Sequence, residues 1–368
     1  MNNYNSLQVF YEDILVGTLA KTQDNLVAFE YDSDWLLNGF SISPLSLPLV
    51  KKVFVPKWEP FNGLYGVFND TLPDGWGRLL VDRLLLKNGI NPVEINQINR
   101  LAIVHESGMG ALSFRPEHKF ETSEVTSDLD VIANECKKIL NSEFSEDLDK
   151  LFVLGGSSGG ARPKVLMKID GEDWIIKFPS SGDSLNIGEQ EYKYSLCAKK
   201  CGIKMPETRL FDSKRCSGYF GVKRFDRVGS KRVHMVSASG LLETSHRLPN
   251  LDYNILMRLT LELTKNYQDI EQLFRLMCFN VCAHNRDDHS KNFSYLYDDS
   301  KKEWHLSPAY DLTYSNSFNG EHATTIDGEG KNPCDENILS VAKKFGLKEK
   351  SAKEILNEIK VITDDLNV

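Results

Sequence analysis

No stretch of this chain approaches the roughly 20 consecutive apolar residues that a membrane-spanning helix needs, and Met1-Asn-Asn-Tyr-Asn-Ser6 has neither the basic nor the apolar region of a secretory signal. The expectation is a cytoplasmic protein with no membrane partner. Basic residues are in the minority, 44 Lys and Arg against 52 Asp and Glu, for a net charge of −8. That excludes a protein that wraps nucleic acid through an overall basic surface, so any DNA contact would be local or made through a partner. The seven cysteines are odd in number and contain no C-x-x-C, which suits a reducing compartment and excludes a disulfide scaffold. Cys197/Cys201 and Cys278/Cys282 recur at i, i+4 on helical patterns and read as buried packing. Two nucleotide fingerprints are also missing. No G-x-G-x-x-G occurs, and Gly155 to Gly160 has the spacing of a P-loop but continues as Ala161-Arg162, where Lys-Ser/Thr is required.

What is present is a globular composition, 41% hydrophobic and 26% charged over 368 residues, enough for two domains or one large one. The densest chemistry lies in Cys282-Ala-His-Asn-Arg-Asp-Asp-His-Ser-Lys-Asn-Phe293. Before it, Ile270, Leu273, Phe274, Met277, Cys278 and Val281 recur at helical spacing, with Asp269 placed to cap the first turn. The polar cluster therefore leaves the end of a buried helix, a rigid base for a functional loop. Asp287 and Asn292 are five positions apart, as are the base and the magnesium-binding Asn of a protein-kinase catalytic loop. Phe293, Tyr295 and Tyr297 then alternate, Asp298-Asp299-Ser300 forms a turn, and Trp304 and Leu306 return the chain as a hairpin. The hairpin delivers Pro308-Ala-Tyr-Asp311, whose carboxylate can share a hard cation with Asn292.

Upstream, residues 1 to 55 alternate as strands, through Leu7, Val9 and Tyr11 and again through Val27, Phe29 and Tyr31. The Asp74-Gly75 turn opens a helix carrying Trp76, Leu79, Leu80 and Leu84, ended by Asn88-Gly89, with Arg78 and Asp82 paired on it. Gly108-Met-Gly-Ala-Leu112 closes this first unit, 1–117, and a connecting helix occupies 118–145.

A second unit, 146–230, opens on Leu154-Gly-Gly-Ser-Ser-Gly-Gly-Ala-Arg-Pro-Lys164. Its glycines can align backbone N–H groups against phosphates, through Gly156, Ser157, Ser158, Gly159 and Gly160. Val165, Met167 and Ile169 form one strand and Trp174-Ile-Ile-Lys177-Phe the return, and Glu191 begins a helical pattern. Glycine-rich loop, strand lysine and helix glutamate come in the order of a kinase N-lobe. Gly221-Val-Lys-Arg-Phe-Asp-Arg227 then holds the place of a hinge that meets adenine, which makes Lys223 and Phe225 cofactor-side candidates. From 231 to 368 the pattern is mainly helical, ending in a helix over Ser351 to Val361.

With these pieces in order, the chain resembles the HipA family of bacterial toxin kinases over nearly its full length. The resemblance rests on Leu72-Pro-Asp-Gly-Trp-Gly-Arg78, Gly108-Met-Gly-Ala-Leu112, Gly160-Ala-Arg-Pro-Lys164, Ile176-Lys-Phe-Pro179, Lys223-Arg-Phe-Asp-Arg227, Asp287-Asp-His-Ser-Lys-Asn292 and Pro308-Ala-Tyr-Asp311. It implies an α+β, protein-kinase-like fold with an α/β N-terminal domain and a mainly helical C-terminal lobe, using ATP and Mg²⁺ to phosphorylate serine or threonine on a protein. Family substrates are aminoacyl-tRNA synthetases, and the usual partner is a small helix-turn-helix antitoxin that carries the toxin to operator DNA. Carried over, Asp287 is the base, Lys291 a contact to the transferred phosphate, Asn292 and Asp311 the metal ligands, and Lys177 the phosphate lysine paired with Glu191. Ser157 matches the serine that family members autophosphorylate, with Ser158 beside it as a second candidate.

Some features depart from ordinary protein kinases. Asp311 is followed by Leu312-Thr313 rather than Phe-Gly, and no A-P-E occurs. His284 lies three before Asp287 and Lys291 four after it, instead of two in each case. Two other classes stay open at this point: a small-molecule phosphotransferase with the same Asp/Asn loop, and a non-catalytic co-repressor that only binds antitoxin on DNA.

Overall fold

The computed structural model describes residues 4–120, 126–143, 145, 147–317 and 319–366. Met1-Asn2-Asn3, and Glu146 where the sequence opens its second unit, lie outside the described residues. The chain packs as two units, one of Met1–Glu189, Arg209–Val236 and Gly240–Glu243, the other of Gln190–Thr208, Ser237–Ser239 and Thr244–Val368.

In the first unit, Ser6–Tyr11 pairs antiparallel with Ile14–Lys21 on one side and with Leu112–Arg115 on the other. Val27–Tyr31 and Val53–Phe54 complete a five-stranded sheet. Leu7, Val9 and Tyr11 are buried while Ser6 and Gln8 are exposed, so the period-2 alternation selects the face that packs. The Gly108–Leu112 segment leads into the sheet's last strand in sequence, Leu112–Arg115, which pairs with its first.

The helix Gly75–Lys87 buries Trp76, Leu80 and Leu84 and carries Arg78 paired with Asp82 at 2.9 Å. Asp82 also receives the nearly buried Arg100 guanidinium at 2.9 Å, so it ties two helices as well as supporting its own. Trp76 and Leu80 share one core with Ile132, Cys136 and Ile139 of the helix Leu129–Leu140, with Leu151 and Leu154 of Leu148–Gly155, and with Val165, Trp174 and Ile176. These last three belong to an antiparallel sheet of order Lys164–Ile169, Glu172–Lys177, Tyr219–Lys223, Thr208–Phe211. Within the expected connecting region, 118–145, one helix forms, Leu129–Leu140, and it is built into this core.

A buried charge cluster fixes the Lys223–Arg227 stretch. Asp226 is fully buried and accepts from Arg224 at 2.8 and 2.9 Å, from Arg227 at 2.9 Å and from the Gly110 N–H at 2.8 Å. Arg227 and Arg232 in turn donate to the carbonyls of Gly108, Gly110 and Leu112. Burial alone would raise the Asp226 carboxyl, but the guanidiniums of Arg224 and then Arg227 outweigh it and hold it at about 2. Two motifs that sequence reading placed separately are therefore one structure.

The second unit holds the helices Tyr253–Thr264, Tyr267–Cys282, Asp335–Lys344 and Glu349–Thr363 and the hairpin Ser294–Asp298/Glu303–Leu306. The helix before the polar loop starts earlier than Asp269 predicts. Asn266 is its cap, accepting from the Gln268 N–H at 2.9 Å, and Asp269 is buried inside the first turn, where it accepts from the Leu306 N–H at 3.3 Å. The helix bearing Glu191 likewise starts earlier, at Ile187. The C-terminal part is less purely helical than its periodicity implies, since Leu251–Asp252 and Thr324–Thr325 pair as short parallel strands. Both strands are two residues long, too short to show a period.

Replacing Asp226 with Asn would leave two arginines buried with one neutral partner. A loss of about 3–5 kcal/mol is expected in urea unfolding at neutral pH. Because the folded value lies below the ordinary carboxylate value of about 3.9, this stabilisation is present above that pH and fades as pH falls toward the folded value. The gap between wild type and Asp226→Asn should therefore narrow on acidification from pH 4 toward 2, and a constant gap would contradict the assignment.

Candidate active site

The helix Tyr267–Cys282 is capped by Ala283, and His284 turns the chain with φ +51°. Asn285 reaches back to Asn280 twice, N–H to carbonyl and side chain to side chain, each at 2.9 Å. These bonds point the loop off the helix end in one direction.

The two adjacent carboxylates then part company. Asp287 is exposed, whereas Asp288 is buried and accepts from the Tyr253 hydroxyl at 3.0 Å, from His322 Nδ1 at 2.9 Å and from the Thr324 N–H at 3.1 Å. Burial and the neighbouring Asp288 push the Tyr253 hydroxyl well above the usual phenol value, so it stays a donor. His289 Nε2 stands 3.9 Å from Asp287 Oδ1. A single turn over Ser290–Asn292 brings Asn292 back, and its Nδ2 donates to the Asp287 carbonyl at 2.6 Å. That bond ties the amide nitrogen of Asn292 to the loop backbone and leaves Oδ1 as the side chain's acceptor.

The hairpin returns the chain as expected and the Asp311 segment is fastened on both flanks. On one side the Tyr310 hydroxyl bonds the Lys291 carbonyl at 2.5 Å and Ser294 Oγ at 2.6 Å. On the other the Ser315 N–H donates to the His284 carbonyl at 3.0 Å. Asp311 itself is half-buried with φ +58°, a left-handed backbone that costs a non-glycine residue about 1–3 kcal/mol and persists only where its surroundings impose it. Asp287, Lys291, Asn292 and Asp311 are thus drawn together by one set of bonds within the second unit. Glu191, in the same unit, is buried on its helix at 2% exposure.

The glycine-rich residues lie in the first unit. Gly155 ends a helix, Ser157 and Ser158 are both buried, and their hydroxyls donate to the carbonyls of Ser107 at 2.8 Å and Gly155 at 2.6 Å. The seat of this loop is Pro73-Asp-Gly-Trp-Gly77. Trp76 N–H donates to the Gly160 carbonyl at 2.9 Å, Trp76 Nε1 to the Lys164 carbonyl at 3.0 Å, and Gly160 N–H to Asp74 Oδ1. A Cβ on Gly77 would lie 2.3 Å from the Ser158 carbonyl oxygen, which explains the small residue there. Lys164 is buried with its ammonium against Gly160, and Arg162 is engaged with Asp183 at 3.0 and 3.2 Å. Lys177 sits across the sheet from Lys164, its ammonium 5.6 Å from the Phe220 ring centre. Lys223 pairs with Glu172 at 2.9 Å, and Phe225 is half-buried beside the Asp226 cluster.

Sequence reasoning missed Asp288, Tyr253, His322, Tyr310 and Asp74. Tyr310 alone carried a signal, its place beside Asp311; the others act through partners 34 to 86 positions away.

Among the described residues no cluster of three or more His, Cys, Asp or Glu could hold a metal. The donor set fits Mg²⁺ all the same, because that ion needs one or two protein oxygens when phosphates and water complete its shell, and Asn292 Oδ1 and Asp311 offer them.

Comparison places the chain. The mixed α/β architecture matches the fold of a chain from the Shewanella oneidensis MR-1 toxin-antitoxin system HipA, HipB and operator DNA complex, with a TM-score of 0.73 over 98% of this chain and 90% of that one at 18% identity. Residues 7–115 match the HipA N-terminal domain and 156–366 the HipA-like C-terminal domain, and the chain belongs to the HipA family. Two Sinorhizobium fredii (strain NBRC 101917 / NGR234) proteins, "Putative kinase Y4dM" and "Putative kinase Y4mE", are each 24% identical, over 81% and 83% of this chain and 74% and 76% of their own lengths.

Removing the Asp311 carboxylate should weaken binding of Mg·ATP by at least about tenfold, as loss of metal-site groups does elsewhere. Asp287→Asn should leave that affinity within about twofold if the roles expected from the sequence hold, since it would then remove a base but no ligand. Titration calorimetry of both variants checks the division, and equal losses would contradict it.

Proposed function

We propose that this protein is an ATP- and Mg²⁺-dependent serine/threonine protein kinase that acts as the toxin of a toxin-antitoxin pair. The observation that carries the reading is the loop in which Asp287 faces solvent while Asn292 is bonded to its backbone and the Asp311 segment is fastened to Lys291 and His284. A scaffold has no need to hold Asp311 in a left-handed backbone beside an exposed carboxylate.

In this reading a substrate hydroxyl oxygen attacks the γ-phosphorus, the bond to ADP breaks, and Asp287 takes the hydroxyl proton. Lys291 steadies the transferred group. Lys177 and Glu191 are assigned to the phosphate side, with backbone N–H groups of Gly156 to Gly160, while Lys223 and Phe225 serve the adenine side. Asn292 Oδ1 and Asp311 would hold Mg²⁺, which supplies neutralisation of the charge on the β- and γ-phosphates.

Ser157 and Ser158 are the proposed sites of autophosphorylation. Both hydroxyls face inward in this conformation, so the loop must open before either can accept phosphate. A phosphoserine carries about −1.5 to −2 charges. Such a group cannot return to a dry site against the Ser107 carbonyl, and it would repel ATP, so the modified enzyme is off. A small helix-turn-helix antitoxin is the proposed partner, in line with the HipB and operator DNA in the solved relative, and DNA is reached only through it. An aminoacyl-tRNA synthetase is the proposed substrate.

Expression of the wild-type chain without antitoxin should arrest growth, and Asp287→Asn should relieve it. Lysate incubated with labelled ATP should carry the label on a protein. Label on a small metabolite would instead favour a small-molecule phosphotransferase, and equal toxicity of the variant a binding role.

A further inference from the structure

The segment after the metal-site aspartate is fixed by a buried network that the proposed roles above do not use. His322, Ala323 and Thr324 lie 11 to 13 residues beyond Asp311 and return beneath the loop. Thr324 Oγ1 donates to the Asp288 carbonyl at 2.5 Å and Thr324 N–H to Asp288 Oδ1 at 3.1 Å. Ala323 N–H donates to the Arg286 carbonyl at 3.1 Å, so the backbone on both sides of Asp287 is held by one short segment. His322 Nδ1 lies 2.9 Å from Asp288 Oδ2, with the His322 side chain 2% exposed and that of Asp288 fully buried. The same oxygen accepts from Tyr253, whose hydroxyl also accepts from Asn280 Nδ2 at 2.9 Å, and Asn280 Oδ1 accepts from Asn285. Asn280, Tyr253, Asp288 and His322 form one connected chain behind Asp287.

We infer that Asp288 and His322 are positioning residues for phosphoryl transfer: together they set the direction of Asp287 and pin the Asp311-to-Thr324 segment without any modification. The inference rests on the kinase reading and deepens it. In kinases whose corresponding segment is ordered by phosphorylation, an added phosphate supplies the charge that arginines grip. Here the charge is already present as a carboxylate sealed from water, where an interaction is stronger and an unpaired group more costly. Asp288 has three side-chain-directed donors and only acceptor oxygens to meet them. An Asn at this position would turn an NH₂ toward one of those donors and release part of the network.

The test measures initial rates of ADP release from Mg·ATP by the full chain, with water as the acceptor of the phosphoryl group and inorganic phosphate as the second product, and with kcat and KM for ATP determined separately, for wild type, Asp288→Asn, His322→Asn and His322→Leu. An Asn at 322 places an N–H donor where Nδ1 stands and so keeps the bond, whereas Leu removes it. Asp288→Asn and His322→Leu should lose about 10- to 100-fold in kcat, the loss expected when a reacting group is misplaced by about 1 Å. Their KM for ATP should stay within twofold, and His322→Asn should keep at least half of wild-type kcat. Wild-type kcat in Asp288→Asn, a change confined to KM, or His322→Asn falling as far as His322→Leu would each overturn the inference. If Asp288→Asn does not fold, the two histidine variants decide alone. Failure of the kinase reading looks different, since wild type itself would then release no ADP.

Discussion

A carboxylate that cannot reach water has to be surrounded by donors, and in the second unit that constraint organises everything near the loop. Asp288 is sealed beneath the chain, so Tyr253, His322 and Thr324 must come to it from a helix start and from a strand 34 to 36 residues on. Once they do, the neighbouring Asp287 has only the solvent side left. The exposure of the proposed base is thus a consequence of the burial of the residue next to it.

The first unit solves a similar problem with Asp226, whose three guanidinium bonds and one backbone N–H join the Gly108–Leu112 segment to the stretch that follows the strand Tyr219–Lys223. The glycine-rich loop is fixed from the same side of the sequence, by Trp76 and Asp74. In this conformation the loop is part of a core: Ser157 and Ser158 are buried and hydrogen-bonded, and Lys164 fills the space behind Gly160. Arg162 is occupied by Asp183, so a displaced, phosphorylated loop would have to compete for it rather than find it waiting.

Much of this was legible in the sequence, and what was not has a common cause. The strand alternation of Leu7, Val9 and Tyr11, the hairpins at Asp170-Gly171 and Asp298–Ser300, and the helix opened by Gly75 all follow from local period and turn chemistry, and all are present. Local signals also placed Asp269 as a cap, but the competing cap Asn266 won because Asp269 has a buried backbone donor at Leu306 to satisfy. Asp287 and Asn292 could be proposed from the sequence because their relation is a fixed spacing along one loop. Asp288 and His322 were not, because a buried carboxylate and its imidazole are recognisable only by the distance between them. Asp74 was legible as a turn residue and not as the partner of Gly160.

The most direct measurement is transfer of the γ-phosphate itself. Purified wild-type chain and Asp287→Asn, each incubated with γ-labelled ATP and Mg²⁺ with no other protein present, would be digested and their phosphopeptides identified by mass spectrometry. Label on Ser157 or Ser158 of the wild-type chain, with none on the variant, is the result the proposed kinase activity predicts. Label of equal extent on Asp287→Asn would contradict the assignment of this loop as the catalytic centre.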